Sequence, residues 1–460
     1  MLDLTTAAQA TGGRLIGANV VFERVTTDSR DIRAGDLFIG IRGDRFDGQL
    51  FGDQALAAGA SALMVVDAES VKTPGARLVE VRDTRLALGA LAAYWRRQFV
   101  IPVAAITGSN GKTTVKEMLA AILREAAGPT GVLATAGNLN NDIGMPLTLL
   151  RLRATHRYAV IEMGMNHLGE ISYLSKIAAP TVALINNAGT AHIGELGSTQ
   201  AIARAKGEIF ERLDAAGVAV LNVDEPAAAF WRGLIGSRRT LEFGIANPAA
   251  VSARYELADS GSLITVQAPA GKFVTTLHVP GLHNVKNALA AATVALALGL
   301  PPAQIAAGLA QYRGVKGRLQ TRRHRSGATI IDDTYNANPD SMKAAISVLV
   351  AYPGKKILVI GDMGELGADA ESLHVMVGEF AKRSGIDVLL GLGELSAHCI
   401  RGFGTNGRHF SELNALVAAL LPMLGREATV LVKGSRFMGM ERVVEALGTS
   451  NGETTAKGVA

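Results

Sequence analysis

Apolar residues in this chain fall into short unbroken runs, and these alternate with stretches in which apolar positions recur every three or four residues. The first pattern marks strands buried on both faces, the second amphipathic helices. Over roughly the first 100 residues the strand-like runs are short (Asp36–Ile41, Ala62–Val66, Leu78–Val81), and they end in a helix expected from Thr84 to Phe99. Pro102 opens the next unit. There Ile101–Ile106, Tyr158–Met163, Thr181–Asn186 and Val218–Val223 read as strands, with Glu117–Ala126 and Thr199–Leu213 as helices. Such alternation predicts a parallel sheet covered by helices. Leu241 to Val279 reads as short antiparallel strands and Leu282–Leu298 as a helix. A third alternation follows, with strands at Thr329–Asp332, Lys356–Ile360, Asp387–Leu390 and Thr429–Val432 and helices from Pro339, Ala370, Glu412 and Met438. The glycine- and charge-rich segment Tyr312–Arg318 marks the boundary before it, and the polar end, Thr449–Ala460, is expected to fray. The pattern predicts an α/β chain of three domains: a small α/β domain over 1–100, a central domain with a mostly parallel sheet over 101–314, and a C-terminal α/β domain over 315–460.

Composition narrows the class. With 48% hydrophobic residues in 460, the chain can build several cores, which excludes global disorder. Its one cysteine, Cys399, permits no internal disulfide and suits a reducing compartment. The opening residues, MLDLTTAAQATGG, lack the basic and apolar regions of a secretory signal. The richest apolar stretch, Ala288–Leu300, is too short to span a bilayer, so no membrane insertion is expected. A net charge of +5 is modest, and its densest cluster, Arg318–Arg325, has no interleaved aromatic residues, so nucleic acid is not expected as a partner.

The chemistry is concentrated in IPVAAITGSNGKTTVKE, Ile101 to Glu117. A buried strand leads into a loop bracketed by Gly108 and Gly111, and a helix begins near Thr113. Strand, glycine loop and helix N-terminus in that order make a nest of backbone N–H groups suited to a polyphosphate. Ser109, Asn110, Gly111, Thr113 and Thr114 would line that nest, with Lys112 reaching the terminal phosphates and the Thr113 hydroxyl placed for Mg²⁺. Only two residues separate the loop glycines, where an ordinary phosphate loop has four. Ligands of open α/β sheets sit beyond the carboxyl ends of the strands. Glu162 ends the strand AVIEMG, and His192 follows the strand ALINNAG; both could serve a metal ion, although each alone could equally be a structural residue. Lys206 lies on a predicted helix, where position alone suggests an exposed lysine. The segments GDMGELG (Gly361–Gly367) and GLGE (Gly391–Glu394) lack dinucleotide-fingerprint spacing and read as turns. No zinc-like Cys/His spacing and no G-x-S-x-G elbow is present.

The ordered set TGSNGKTT with VKEM, GNLNNDIGMPLTLL, VIEMGMNHLGEI, NNAGTAHIGELGS, AKGEIF, GLHNVKNALAA, GRLQ, IDDTYNANPDSM and VKGSR resembles the Mur ligase family over nearly the whole chain. The family's short phosphate loop matches the spacing here. The resemblance implies an N-terminal domain for a UDP-linked substrate, a central ATPase and a Rossmann-like closing domain. It implies ATP and Mg²⁺ as cofactors and amide-bond formation through an acyl phosphate in cytoplasmic peptidoglycan precursor synthesis, by a protein expected to be monomeric. The motifs are most like the branch that joins D-Ala-D-Ala to UDP-N-acetylmuramoyl-tripeptide. YNANPD stands where the diaminopimelate-adding branch has D-N-P-R, and about 100 residues precede the loop, unlike folylpolyglutamate synthases. Carried across, Lys112, His192 and Lys206 would be catalytic, and Lys206 matches a lysine that many members carry as a carbamate. Thr113, Glu162, His192 and Lys206 would serve the metal sites. Asn284, Asn287, Arg318 and Asp333 would contact the nucleotide with the loop residues. Ser29, Arg30, Asp47, Asn140, Asn141, Lys433 and Ser435 would contact the other substrates. Another amide ligase of this superfamily, or an ATPase that drives partner binding, would use the same loop.

Overall fold

The computed structural model describes residues 1–43, 47–191, 193–258 and 260–448. His192 and the polar end Thr449–Ala460 lie outside the described residues. Three larger sheets follow one another along the chain, in the α/β architecture expected. The first has five strands, in which Leu78–Glu80, Ala62–Val65, Asp36–Ile39 and Arg24–Thr26 run parallel and Arg14–Ile16 antiparallel at one edge. Helix Thr84–Arg97 closes this unit. Its N-terminus is capped by Asp83, whose side chain accepts from the N–H groups of Arg85 and Leu86, and Arg96 and Arg97 complement its C-terminus.

The central sheet has nine strands. From the edge Val132–Ala134 the order is Tyr158–Glu162, Val103–Thr107, Val182–Ile185, Val218–Asn222, Arg239–Gly244 and Val251–Ala258, all parallel. Two antiparallel strands, Gly261–Ala268 and Gly271–Leu277, complete it. The expectation of antiparallel strands from Leu241 onward is therefore corrected at its start. The carboxylate of Asp224 accepts the N–H groups of Ile245, Ala246 and Asn247, and this holds the turn that lets Val251–Ala258 join in parallel. The C-terminal sheet runs Gln320–Arg323, Thr329–Asp333, Ala428–Lys433, Lys355–Gly361, Val388–Leu392 and Gly407–Phe410, parallel except for its first strand. Gly391 belongs to a strand rather than a turn, with the turn following at Gly393. Among the described residues no helix is long and apolar enough to cross a membrane.

The two inter-sheet joints differ in kind. One buried apolar cluster runs from Leu4, Phe22, Leu37 and Met64 through Leu88 and Leu91 into Val103, Ile161, Leu174 and Trp231, so the first two units share a core. Arg96, buried at that joint, donates to the carbonyl oxygens of Phe99, Ile101, Ala178 and Ala179. The C-terminal unit has its own cores and meets the central one mainly through polar groups.

Helix Lys112–Ala127, which follows the phosphate loop, is packed from behind by helix Pro302–Gln311. The backbones touch at Gly308, where a Cβ would come within 2.3 Å of the Ile122 Cα. Gly308→Ala should therefore destabilise the protein even though alanine is the better helix former. Overpacking costs about 1–3 kcal/mol against a gain of about 1 kcal/mol in propensity. Calorimetry should show a lowered melting temperature, and an unchanged or raised one would mean that the helices part without strain.

Candidate active site

Strand Val103–Thr107 is buried along its whole length and delivers Gly108 at the carboxyl edge of the central sheet. Gly108 and Gly111 have φ of 158° and 79°, and Gly111 caps helix Lys112–Ala127 without a side-chain bond. The helix begins at Lys112, one residue before the expected Thr113. No side chain could be added at Gly111: its Cβ would lie 2.3 Å from Asn287 Oδ1 and 2.6 Å from Asn186 Nδ2.

Those two residues belong to a brace of asparagines. Asn186 Nδ2 donates to the Asn110 carbonyl (3.0 Å) and to Asn287 Oδ1 (2.9 Å). Asn187 accepts the Asn110 N–H on Oδ1 (2.8 Å) and donates to the Asn110 carbonyl (2.9 Å). Asn222 Nδ2 donates to the Asn186 carbonyl (3.0 Å), and Asn287 Nδ2 reaches Asn284 Oδ1 (3.4 Å). Ser109 joins through its hydroxyl, which donates to the Gly189 carbonyl (3.2 Å). Asn284 and Asn287, expected as nucleotide contacts, line a cavity of about 430 Å³ beside the loop, but Asn287 also holds the loop's shape. Burial together with Lys433 and Lys286 lowers the pKa of His283, in the same cavity, to about 4, so its imidazole is neutral.

A larger cavity of about 1010 Å³ opens on the other side of the loop. The central sheet contributes Ser109–Thr113, Asn140, Asn141 and Glu162. The C-terminal sheet contributes Arg318, Asp333, Lys433 and Ser435. The start of helix Thr84–Arg97, with its cap, contributes Asp83, Arg85 and Leu86. Glu162 is buried; its Oε1 accepts from Asn140 Nδ2 (2.7 Å), while Oε2 has no partner among the described residues. Thr113 Oγ1 accepts from Arg318 Nη2 (3.0 Å), and the Arg318 guanidinium stacks over Tyr335. Lys433 Nζ contacts Asp333 Oδ2 at 2.7 Å; burial pushes that carboxyl's pKa up, and Lys433 and Arg318 pull it back. Lys112 folds back onto the Gly108 carbonyl (2.7 Å). Desolvation lowers its pKa, Glu162 opposes that shift, and Arg318 adds to it.

Lys206 corrects the expectation of an exposed helical lysine. It is buried on the inner face of helix Thr199–Glu211, and desolvation, reinforced by Lys112, holds its pKa well below that of an ordinary lysine. Ser29, Arg30 and Asp47 line neither cavity. Arg30 is exposed and paired with Asp28, whose pKa its hydrogen bonds lower to about 2. Asp47 caps the short helix Gly48–Phe51. Thr114 faces the smaller cavity, and Gly108 faces neither.

Several contacts escaped the sequence reading. Asn338 caps helix Pro339–Ala351 and also pairs its amide with that of Asn110, its Nδ2 donating to Asn110 Oδ1 at 2.8 Å. Asp340 Oδ2 accepts from the Thr190 N–H and hydroxyl. The segment read as a turn at Gly361–Gly367 places Glu365 and Leu366 in the larger cavity, and the Glu365 carbonyl accepts from the Gly194 N–H. Asp83, ahead of a helix, offered an N-cap signal; nothing local in the sequence pairs residue 110 with residue 338.

Three family models match in order: the Mur ligase family catalytic domain at residues 21–96, the Mur ligase middle domain at 106–295 and the Mur ligase glutamate ligase domain at 317–436. The UDP-N-acetylmuramoyl-tripeptide–D-alanyl-D-alanine ligase of Escherichia coli K12 is 44% identical over 450 residues, covering 97% of this chain and 98% of that protein. A crystal structure of MurF from Acinetobacter baumannii superposes with a TM-score of 0.90 at 38% identity, covering 96% and 98% of the two chains. MurF from Thermotoga maritima, solved with ADP, gives 0.83 at 29% identity, covering 92% and 97%.

The brace makes a specific demand. Asn186→Ala would leave the buried Asn287 Oδ1 without its donor and remove one of the two amide hydrogen bonds to the Asn110 carbonyl, at a cost of about 1–3 kcal/mol. If ~1 kcal/mol of that falls on the loop's binding conformation, ADP affinity drops roughly fivefold. Calorimetric titration with ADP checks this, and undiminished affinity would show that the loop holds its shape without Asn186.

Proposed function

Because this chain belongs to the Mur ligase family, we propose that its shared cavity is where ATP drives the joining of D-alanyl-D-alanine to UDP-N-acetylmuramoyl-tripeptide. The protein is an ATP-dependent peptide ligase of peptidoglycan synthesis. The observation that carries the reading is the single cavity lined by the phosphate loop, the C-terminal pair Asp333–Lys433 and the N-terminal residues Asp83 and Arg85. A nucleotide and a long second substrate can meet there.

The chemistry must bring two anions together, since a carboxylate attacks the γ-phosphorus of ATP. Forming the acyl phosphate releases ADP. The amine of the dipeptide then attacks the acyl carbon, and phosphate leaves as the amide forms. Preorganised cations aimed at the developing charge are the natural device for the first step. Lys112, Arg318 and Lys433 converge on the cavity for that purpose. Its carboxylates Glu162 and Asp333 are held in place by Asn140 and Lys433.

The residues fit Mg²⁺. Glu162 Oε2 is a buried oxygen without a partner among the described residues, and Thr113 lines the same cavity. Mg²⁺ is commonly held by one or two protein oxygens together with phosphates and water, so a sparse donor set suits it. Bound there, it would neutralise phosphate charge and orient the transferring group. The low pKa of Lys206 favours the neutral amine, which can add CO₂ and release a proton to become a carbamate. Desolvation opposes either charge there, but the Lys112 cation that disfavours an ammonium would stabilise a carbamate anion. The UDP end falls to the N-terminal domain, with Ser29, Arg30 and Asp47 as its contacts, and the compartment is the cytoplasm.

Phosphate release is expected only when ATP, UDP-muramoyl-tripeptide and D-Ala-D-Ala are all present; release without the tripeptide would support a partner-driving ATPase instead. Running the assay with lysine-containing and diaminopimelate-containing tripeptides identifies the third residue. In the same assay Lys112→Ala should lose on the order of a thousandfold in turnover with its melting temperature kept. Near-normal turnover in that folded variant would remove Lys112 from the mechanism.

Arg30 gives a separate test. Remote from the reacting carboxylate, it should act through binding, so Arg30→Ala should raise KM for the UDP-linked tripeptide and leave KM for ATP and the dipeptide unchanged. Loss of a charge-assisted contact predicts about 1.5–3 kcal/mol in kcat/KM. No change in any constant would leave Arg30 as a surface partner of Asp28.

A further inference from the structure

Lys116 is fully buried on the first turns of helix Lys112–Ala127 and lines neither cavity. A buried ammonium is expensive unless it is paired, and an apolar side chain would fill the same slot, so packing alone does not call for a lysine. Its partners give it a purpose. Nζ donates to the Thr135 carbonyl at 2.6 Å and pairs with Glu117 Oε1 at 2.7 Å. Thr135, itself buried, accepts the Glu162 N–H on its hydroxyl oxygen at 2.9 Å, and its own N–H donates to the Val160 carbonyl at 3.0 Å. The loop that leaves Thr135 then returns Asn140 to Glu162 Oε1. Thr113 lies three residues before Lys116, one turn along the same helix.

We infer that Lys116 is a positioning residue for the metal-facing carboxylate, because it ties the helix that carries Thr113 to the strand end that carries Glu162 through Thr135. Adjacent strands of the sheet already fix Glu162 in height, since it pairs with Ile106 across the ladder. They do not reach the helix, which packs on the sheet through apolar side chains. The ammonium bridges the two where no ladder bond can. It touches no substrate, and it acts by keeping the Glu162 oxygen and the Thr113 hydroxyl at one separation.

This inference rests on Glu162 being a metal ligand, so its test includes that ligand as a control. Mn²⁺, a spectroscopic substitute for Mg²⁺, is titrated by electron paramagnetic resonance into the ADP complexes of the parent, Lys116→Met, Thr135→Val and Glu162→Ala. Groups that orient metal ligands typically change metal affinity tenfold or more. Lys116→Met and Thr135→Val should each weaken Mn²⁺ about tenfold, and the double variant should be no worse than the poorer single one, since both cut the same tie. ADP affinity without metal should be unchanged. If Glu162→Ala weakens Mn²⁺ while Lys116→Met and Thr135→Val do not, Lys116 is a packing residue and the inference falls. If Glu162→Ala has no effect either, the metal assignment itself fails and takes the inference with it. Should Lys116→Met not fold, Thr135→Val decides alone, because it removes only the hydroxyl that receives the Glu162 N–H.

Discussion

The phosphate loop has to hold an irregular backbone open to a polyphosphate with no regular partners for its own polar groups, and the residues around it are arranged to supply them. A helix or strand satisfies its backbone internally; a glycine nest does not. Here the missing partners are amide side chains. Asn186 and Asn187 follow strand Val182–Ile185 and grip residue 110 from one side, and Asn287 from helix Leu282–Ala297 backs Gly111. An amide both donates and accepts, so a chain of them can lock a turn without adding net charge where a polyphosphate must bind. Asp or Lys at these positions would compete with the ligand or with its counter-ions.

With the loop fixed, the C-terminal sheet needs few contacts to meet it. The carboxyl ends of the central and C-terminal strands face one cavity, so Glu162, Asp333 and Lys433 all reach it from strand ends. Asn338 is economical in the same way. One side chain caps its own helix and reads Asn110 across the gap, which couples the order of that helix to the position of the loop. Two residues on, Asp340 adds a second tie between the two units by accepting from the Thr190 N–H and hydroxyl.

Much of this was legible in the sequence because it is local. Buried parallel strands announce themselves as apolar runs, and the strand–loop–helix at Ile101–Glu117 lies where it was expected, with the helix one residue earlier because Gly111 supplies the cap. The larger cavity gathers Lys112, Thr113, Asn140, Asn141, Glu162, Arg318, Asp333, Lys433 and Ser435 from far apart in the chain, and each was picked out by motif. What could not be read was tertiary. The burial of Lys206 depends on what packs over its helix, and the parallel entry of Val251–Ala258 depends on three N–H groups converging on Asp224. The role of Glu365 and Leu366 depends on which loop faces them. A run as short as Val132–Ala134 is too brief to show a period of its own and is set by its pairing with Tyr158–Glu162.

The shared apolar core between the first two units has a geometric consequence. Two bodies welded by a continuous hydrophobic cluster, with Arg96 stitched across the seam, cannot change their spacing without opening that cluster to water. The fixed body therefore acts as a caliper. On the proposed function, a substrate held by its nucleotide end on the first unit would present its far end at one set reach, and a peptide stem one residue too short or too long would bring no carboxylate to the phosphate loop. Length would then be gauged by the frame of the molecule, before any side chain inspects what the stem is made of.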